Sequence, residues 1–185
     1  MAIPRRIFQT FKTADLGWYT RFWVGRLKRQ NPEFEYVFYD DAAIERFFSD
    51  HYPPEYLAAY QRLTVGAAKA DFFRYAELYR NGGVYLDLDG YARKPLSSFI
   101  RDDDVALIAK EGLPTGFFAQ WALIYDKGHP FLGKTLELVL DNIDNDRHLH
   151  DVHAGRGAAA MAAESAVIAP RRTVCVFRER PVRPP

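Results

Sequence analysis

The chain has a single cysteine, Cys175, among its 185 residues. One cysteine excludes an internal disulfide, and no Cys/His cluster has the spacing of a zinc site. A reducing compartment fits, and the cytoplasm is the expected location. The chain also lacks a charge excess, with 25 Lys and Arg against 24 Asp and Glu, a net charge of +1. General nucleic-acid binders carry a basic surplus that neutralises phosphates, so nucleic acid is not an expected partner. No uninterrupted apolar stretch approaches the roughly 18 residues that a membrane span needs, and the opening MAIPRRIFQTFK lacks the apolar core of a signal peptide. Contact with a membrane is therefore expected to be peripheral, at its inner face.

Hydrophobic residues are abundant, at 48% of the chain, which suffices for one compact α/β domain with a sizeable core. That domain is expected over 1–177, followed by a Pro- and Arg-rich tail over 178–185. Aromatic residues make up 15%, and Phe8, Phe11, Trp18, Tyr19, Phe22 and Trp23 cluster near the start. Most of these are expected in the core, since aromatic rings supply large buried area, although sugars and bases also bind on such platforms.

Ile3 to Phe11 reads as a strand, Trp18 to Gln30 as a helix with an inward face of Phe22, Trp23 and Leu27, and Glu33 to Tyr39 as an alternating strand. This order predicts a parallel βαβ unit. Asp40 or Asp41 caps a short helix to Phe48, and Pro53-Pro54 opens another to about Leu63. Ala67 to Arg80 has helix-forming composition with apolar Ala67, Ala70, Phe73 and Ala76. Asn81-Gly82-Gly83 stops it, and a strand from Val84 to Leu88 follows. Further strands are expected at Val105 to Ala109, Phe118 to Ile124 and Thr173 to Phe177, with helices at Pro130 to Leu140 and Gly157 to Ile168.

The chemistry concentrates in GVYLDLD. Continued strand alternation through this segment points Asp87 and Asp89 to one side, in line with Tyr85. Near the carboxyl end of a strand in an open α/β sheet, two carboxylates sit where ligands bind. Their hard oxygens suit Mg²⁺ or Mn²⁺, which neutralises a departing diphosphate when a sugar–phosphate bond breaks. An isolated Asp-x-Asp is also an ordinary solvated strand end. Asp71 and Arg74 lie three apart on the preceding helix, as a surface ion pair or as two groups reaching one ligand.

Taken together, AKADFFRYAELYRNGGVYLDLD (68–89) resembles the signature of glycosyltransferase family 32. IPRRIFQTF and NPEFEYVFYDD are similar to that family's first two strands. The resemblance covers about the first hundred residues well; beyond them, KGHPFLGKTLELVL is similar to a family segment, and HAGRG stands where many members carry a Thr-Gly-Pro loop. It implies a GT-A fold: a Rossmann-like mixed, mostly parallel sheet flanked by helices.

The implied activity is metal-assisted, retaining sugar transfer from a UDP- or GDP-sugar to a glycan, lipid-linked or protein acceptor. Carried over, Asp71 and Arg74 bind the donor sugar, Asp87 contacts ribose and sugar, Asp89 is the direct metal ligand, and Phe11 stacks on the base. The expected substrate-binding set is thus Thr10, Phe11, Asp71, Arg74, Tyr85 and Asp87. The expected catalytic set is Arg74, Asp87 and Asp89, and the metal set Asp87 and Asp89. The chain departs from the family at Phe8, usually His, at Phe11, usually Trp, and at Gly90, usually a small apolar residue. The ending FRERPVRPP lacks the family's usual closing segment, so donor binding with slow hydrolysis and weak transfer is the expectation.

Two other readings stand beside this one. VYLDLDG also resembles the first motif of haloacid-dehalogenase-type phosphatases, with Tyr91 in place of their Thr. A non-catalytic sugar-nucleotide-binding remnant would keep the same fold. His148, His150 and Asp151 could also hold a metal, at a spacing that is unspecific.

Overall fold

The computed structural model describes residues 3–110, 118–145, 172–174 and 177–179. Its main sheet contains β1 (Arg6–Thr10), β2 (Glu35–Tyr39), β3 (Gly83–Leu86), β5 (Ala106–Lys110), β6 (Phe118–Tyr125) and β7 (Arg172–Val174), in the order β2-β1-β3-β6-β5-β7. β1 pairs in parallel with β2 and β3, and β5 with β7, while β6 runs antiparallel to both β3 and β5. The expected mixed, mostly parallel sheet is present. A two-stranded sheet joins β4 (Gly90–Ala92) to β8 (Phe177–Glu179).

Among the described residues, five α-helices accompany the strands: α1 (Trp18–Gln30), α2 (Asp41–His51), α3 (Pro54–Arg62), α4 (Gly66–Asn81) and α5 (Pro130–Asp144). Asp40, rather than Asp41, caps α2, its side chain accepting from the Ala43 amide at 2.8 Å. Pro54 starts α3, where its missing N–H is one that a first turn leaves unbonded anyway.

Period-two alternation divides the core between the two faces of the sheet. Phe8, Tyr85, Leu123 and Tyr125 pack with α2 to α5, whereas Ile7, Val84, Leu86, Ala122 and Ile124 pack on the opposite side with Leu27 and Phe34. α4 is more deeply buried than its expected stripe. Ala67 is exposed, but Asp71 through Leu78 are all buried, because the helix is enclosed between the sheet and α5.

The stop after α4 has a steric cause. Gly82 has φ +65°, and a Cβ there would lie 2.6 Å from the Lys127 amide nitrogen. Gly83 has φ +119°, with the Arg6 carbonyl oxygen 2.9 Å from such a Cβ. Only glycine suits this turn, which delivers the chain directly from buried helix into central strand.

Three expectations change. The strand expected at Val84 to Leu88 ends at Leu86, so the acidic residues lie in the turn beyond it. The strand expected at Thr173 to Phe177 is replaced by two short ones, and β8 extends two residues into the stretch read as a tail. The early aromatics divide, with Phe8 in the core but Phe11, Trp18 and Phe22 exposed. The alanine-rich helix expected at Gly157 to Ile168, the HAGRG segment and His148, His150 and Asp151 lie outside the described residues.

Candidate active site

β1 and β3 run side by side, with Phe8 opposite Tyr85. Continuing that register sets Gln9 level with Leu86 and Thr10 level with Asp87. Both strands therefore release their next residues at the carboxyl edge of the parallel part of the sheet, where open α/β folds bind ligands. Half-buried Thr10 and 43%-exposed Phe11 stand on this edge beside the acidic turn.

The acidic segment is a tight turn closed by the Gly90 amide donating to the Asp87 carbonyl at 2.9 Å. The Asp87 amide is held by the Trp121 carbonyl on β6 at 2.8 Å. Asp87 and Asp89 thus do not alternate along a strand. Asp87 is turned inward, its side chain 28% exposed, while Asp89 is on the surface. Gly90 is closely packed: a Cβ there would meet the Trp121 ring at 2.9 Å and Leu86 Cδ1 at 3.0 Å.

Arg74 organises the buried side. One guanidinium nitrogen lies 2.8 Å from Asp71 Oδ1 and 3.2 Å from Asp87 Oδ1, and another donates to the Gln120 carbonyl. The Asp71 and Arg74 side chains are each 2% exposed, so the surface ion-pair reading fails. The guanidinium also lies over the Tyr85 ring, 4.8 Å from its centroid, as a cation does on a π face. Tyr85 is fully buried, and its hydroxyl donates to Asp87 Oδ1 at 2.8 Å.

Burial pushes the Asp87 carboxyl above the ordinary carboxylate range; Arg74 and the Tyr85 hydrogen bond pull it back, and Asp89 and Asp71 add to the upward push. Burial opposes the Arg74 charge, but Tyr85, Asp87 and Asp71 outweigh it and hold its pKa above the usual guanidinium value. Burial drives the Tyr85 hydroxyl well up, so it remains a donor.

The expected residues therefore separate into two layers. Asp89, Asp87, Thr10 and Phe11 line the accessible edge. Asp71, Arg74 and Tyr85 lie behind it, and Tyr85, expected to touch substrate, supports Asp87 from the interior instead.

Sequence reasoning missed Gln9. This buried side chain donates to the Leu86 carbonyl at 3.1 Å and the Asp87 carbonyl at 3.2 Å, and accepts from the Tyr36 hydroxyl at 3.0 Å. It also missed Gln120, whose Oε1 accepts from the Tyr75 hydroxyl at 2.8 Å. A polar Gln at an inward position of an otherwise apolar strand was the available signal for Gln9. Phe8, where the resembled family usually has His, is packed in the core.

A family model described as "Glycosyltransferase sugar-binding region containing DXD motif" matches residues 19–106, from α1 through the acidic turn to the start of β5. Residues 19–106 belong to that family. Inositol phosphoceramide mannosyltransferase 3 of Schizosaccharomyces pombe is 33% identical over 134 residues, 71% of this chain and 35% of its own length. The initiation-specific alpha-1,6-mannosyltransferase of the same organism is 31% identical over 172 residues, 80% of this chain and 42% of its own length. The chain thus spans well under half the length of these relatives. The PaToxG glycosyltransferase structure superposes with a TM-score of 0.73 at 17% identity, over 90% of this chain and 71% of that one. The fold is accordingly the glycosyltransferase GT-A fold.

The acidic turn tests whether this member's residues fit a divalent cation. Asp89 offers an exposed carboxylate. Both Asp87 oxygens already accept from Arg74, at 3.2 and 3.4 Å, and one also from Tyr85. Among the described residues, no cluster of three or more His, Cys, Asp or Glu is arranged to hold a metal. Of the two carboxylates, Asp89 is thus the one open to a hard cation, while Asp87 is engaged from the interior.

Proposed function

We propose that this chain transfers a hexosyl group from a nucleoside diphosphate sugar to an acceptor hydroxyl, with retention of configuration. The observation that carries this reading is Arg74: a buried cation bridging Asp71 and Asp87 directly behind an exposed Asp89. A buried carboxylate held on one side by a guanidinium and a phenol presents its remaining face in a fixed orientation, as recognition of sugar hydroxyls requires.

In this scheme Phe11 stacks on the base and Thr10 hydrogen-bonds the nucleotide. Asp87 accepts hydroxyls of ribose and donor sugar. Arg74 contributes positive charge toward the negative charge that develops on the departing diphosphate, and Asp71 holds Arg74 in place. Asp89, with Asp87 as a lesser partner, would hold Mn²⁺ or Mg²⁺, which neutralises the departing diphosphate when bound. The acceptor hydroxyl attacks from the leaving-group side, so the anomeric configuration is kept. The S. pombe relatives are named for mannosyl transfer, which makes a mannosyl donor the first to test. A glycan, lipid-linked or protein acceptor is compatible with the open edge.

The phosphatase reading needs a free nucleophilic oxygen on Asp87. Arg74 and Tyr85 instead engage that carboxylate.

The test is a panel of UDP- and GDP-hexoses with and without Mn²⁺, reading the shift in melting temperature and the release of nucleoside diphosphate. Metal-dependent stabilisation with nucleoside diphosphate release is expected. Stabilisation with no release, even with acceptors supplied, would make the chain a sugar-nucleotide binder. Hydrolysis of an aryl phosphate would point to the phosphatase chemistry.

A further inference from the structure

Of the inward face expected for α1, Leu27 is buried and Trp23 half-buried, but Phe22 is 53% exposed, and Trp18 on the same helix is 63% exposed. These two are four residues apart and share one face of the helix. At 100° per residue, Arg29 continues the same stripe, with Arg21 and Lys28 along one flank and Arg26 along the other. All four of these cations are exposed, and α1 carries no acidic residue. Next to it, Arg93 and Lys94 are exposed just beyond β4, whose Tyr91 ring lies 5.2 Å from Trp23.

Such a surface costs free energy in water unless something covers it. A second copy is poorly suited, because a two-fold contact would set this wholly cationic helix against another with no carboxylate on either. The stripe is convex, a helix face with no groove, and cations flank it on both sides. That matches a plane of negative charge over an apolar layer. Trp and Phe settle at the boundary between headgroups and acyl chains, while Arg and Lys reach the phosphates above it.

We propose that α1 is a membrane-docking surface, with Trp18 and Phe22 entering the interface of an anionic bilayer and Arg21, Arg26, Lys28 and Arg29 binding its headgroups. α1 begins on the edge of the sheet where β1 ends, and its Trp23 packs on Tyr91, two residues after Asp89. Docking therefore sets the acidic turn at the bilayer surface, beside acceptors carried by lipid. No helix among the described residues is long and apolar enough to cross a membrane, so this contact is an attachment to one leaflet.

The experiment is co-sedimentation of the purified chain with vesicles of phosphatidylcholine alone or phosphatidylcholine with phosphatidylserine. Binding is expected only with phosphatidylserine, weakening as salt rises. Arg21→Gln/Arg26→Gln/Arg29→Gln should reduce it about a hundredfold. Trp18→Ser/Phe22→Ser should reduce it at least about tenfold. Both variants should stay folded and keep donor binding, because every replaced side chain is exposed; the replacements give up ring-edge contacts within α1 and the Arg26 contacts with the Trp23 and Tyr91 rings. In the unaltered protein, phosphatidylcholine with brominated acyl chains, mixed with phosphatidylserine, should quench tryptophan emission, a readout independent of how the variants fold. Equal binding by parent and variants, or no binding and no quenching, would overturn the proposal. So would a concentration-dependent dimer, lost in Trp18→Ser/Phe22→Ser, in a protein that ignores vesicles.

Discussion

Arg74 lies 3.2 Å from the carboxylate of Asp87, thirteen residues further along the chain, and the same nitrogen lies 2.8 Å from Asp71. The helix-to-strand turn at Gly82-Gly83 makes this possible. It folds α4 back so that a side chain in its middle meets the end of the strand it feeds.

Removing Arg74 should affect both stability and donor binding. In Arg74→Ala two carboxylates lose their counter-charge, one of them fully buried, a loss of about 3 to 5 kcal/mol. Urea denaturation should show it as a fall in the midpoint at unchanged slope. The double change Asp71→Asn/Arg74→Leu should cost less than Arg74→Ala, because it leaves one fewer buried charge. Both proteins should lose donor affinity by at least about tenfold.

Tyr85→Phe keeps the ring under Arg74 and removes only the hydroxyl that donates to Asp87. That donor favours the ionised carboxylate, so its loss raises a pKa already lifted by burial. The acid limb of the rate profile should move to higher pH, with little change on the alkaline side. An unmoved acid limb would show that ionisation of Asp87 does not control the rate.

Glu77 is a buried carboxylate on α4 outside the site, hydrogen-bonded by Asn81 at 2.7 Å. Burial is the main cause that raises its pKa to about 7, against hydrogen bonds from Asn81 and Tyr39. The unfolded chain releases this proton near pH 4.5 and the folded chain near 7, so between those values the folded state holds more protons. Stability should therefore fall as pH rises through that window and level off above it. Glu77→Gln should flatten this slope and gain about 3 kcal/mol over the parent at pH 8. Melting temperatures at pH 5 and pH 8 check it.

Much of the framework is legible in the residues. The βαβ start, the Asn81-Gly82-Gly83 stop and most element limits follow from periodicity and turn chemistry, which act within a few residues. What eluded the sequence depends on neighbours distant along the chain. The Asp71–Arg74 spacing of three is identical on a surface and in a core, and only α5 and the sheet packing around α4 decide between them. Alternation through GVYLDLD assumes that the strand continues, but β6 stops pairing with β3 at Leu86, and the chain turns. Gln9 acts on Leu86 and Asp87, 77 and 78 residues away. The outward Trp18 and Phe22 break the rule that large aromatics are buried, and such a break is itself a functional signal.

In the proposed scheme the acidic turn holds the donor through a cation on Asp89. Because Asp89 is exposed, Asp89→Asn should leave the melting temperature nearly unchanged, within about 0.5 kcal/mol of stability. Titration calorimetry of this variant with the donor that binds the parent, with and without Mn²⁺, is the most direct test. The Mn²⁺-dependent part of the affinity should disappear. A folded Asp89→Asn protein that binds the donor as tightly as the parent, and with the same dependence on Mn²⁺, would contradict it.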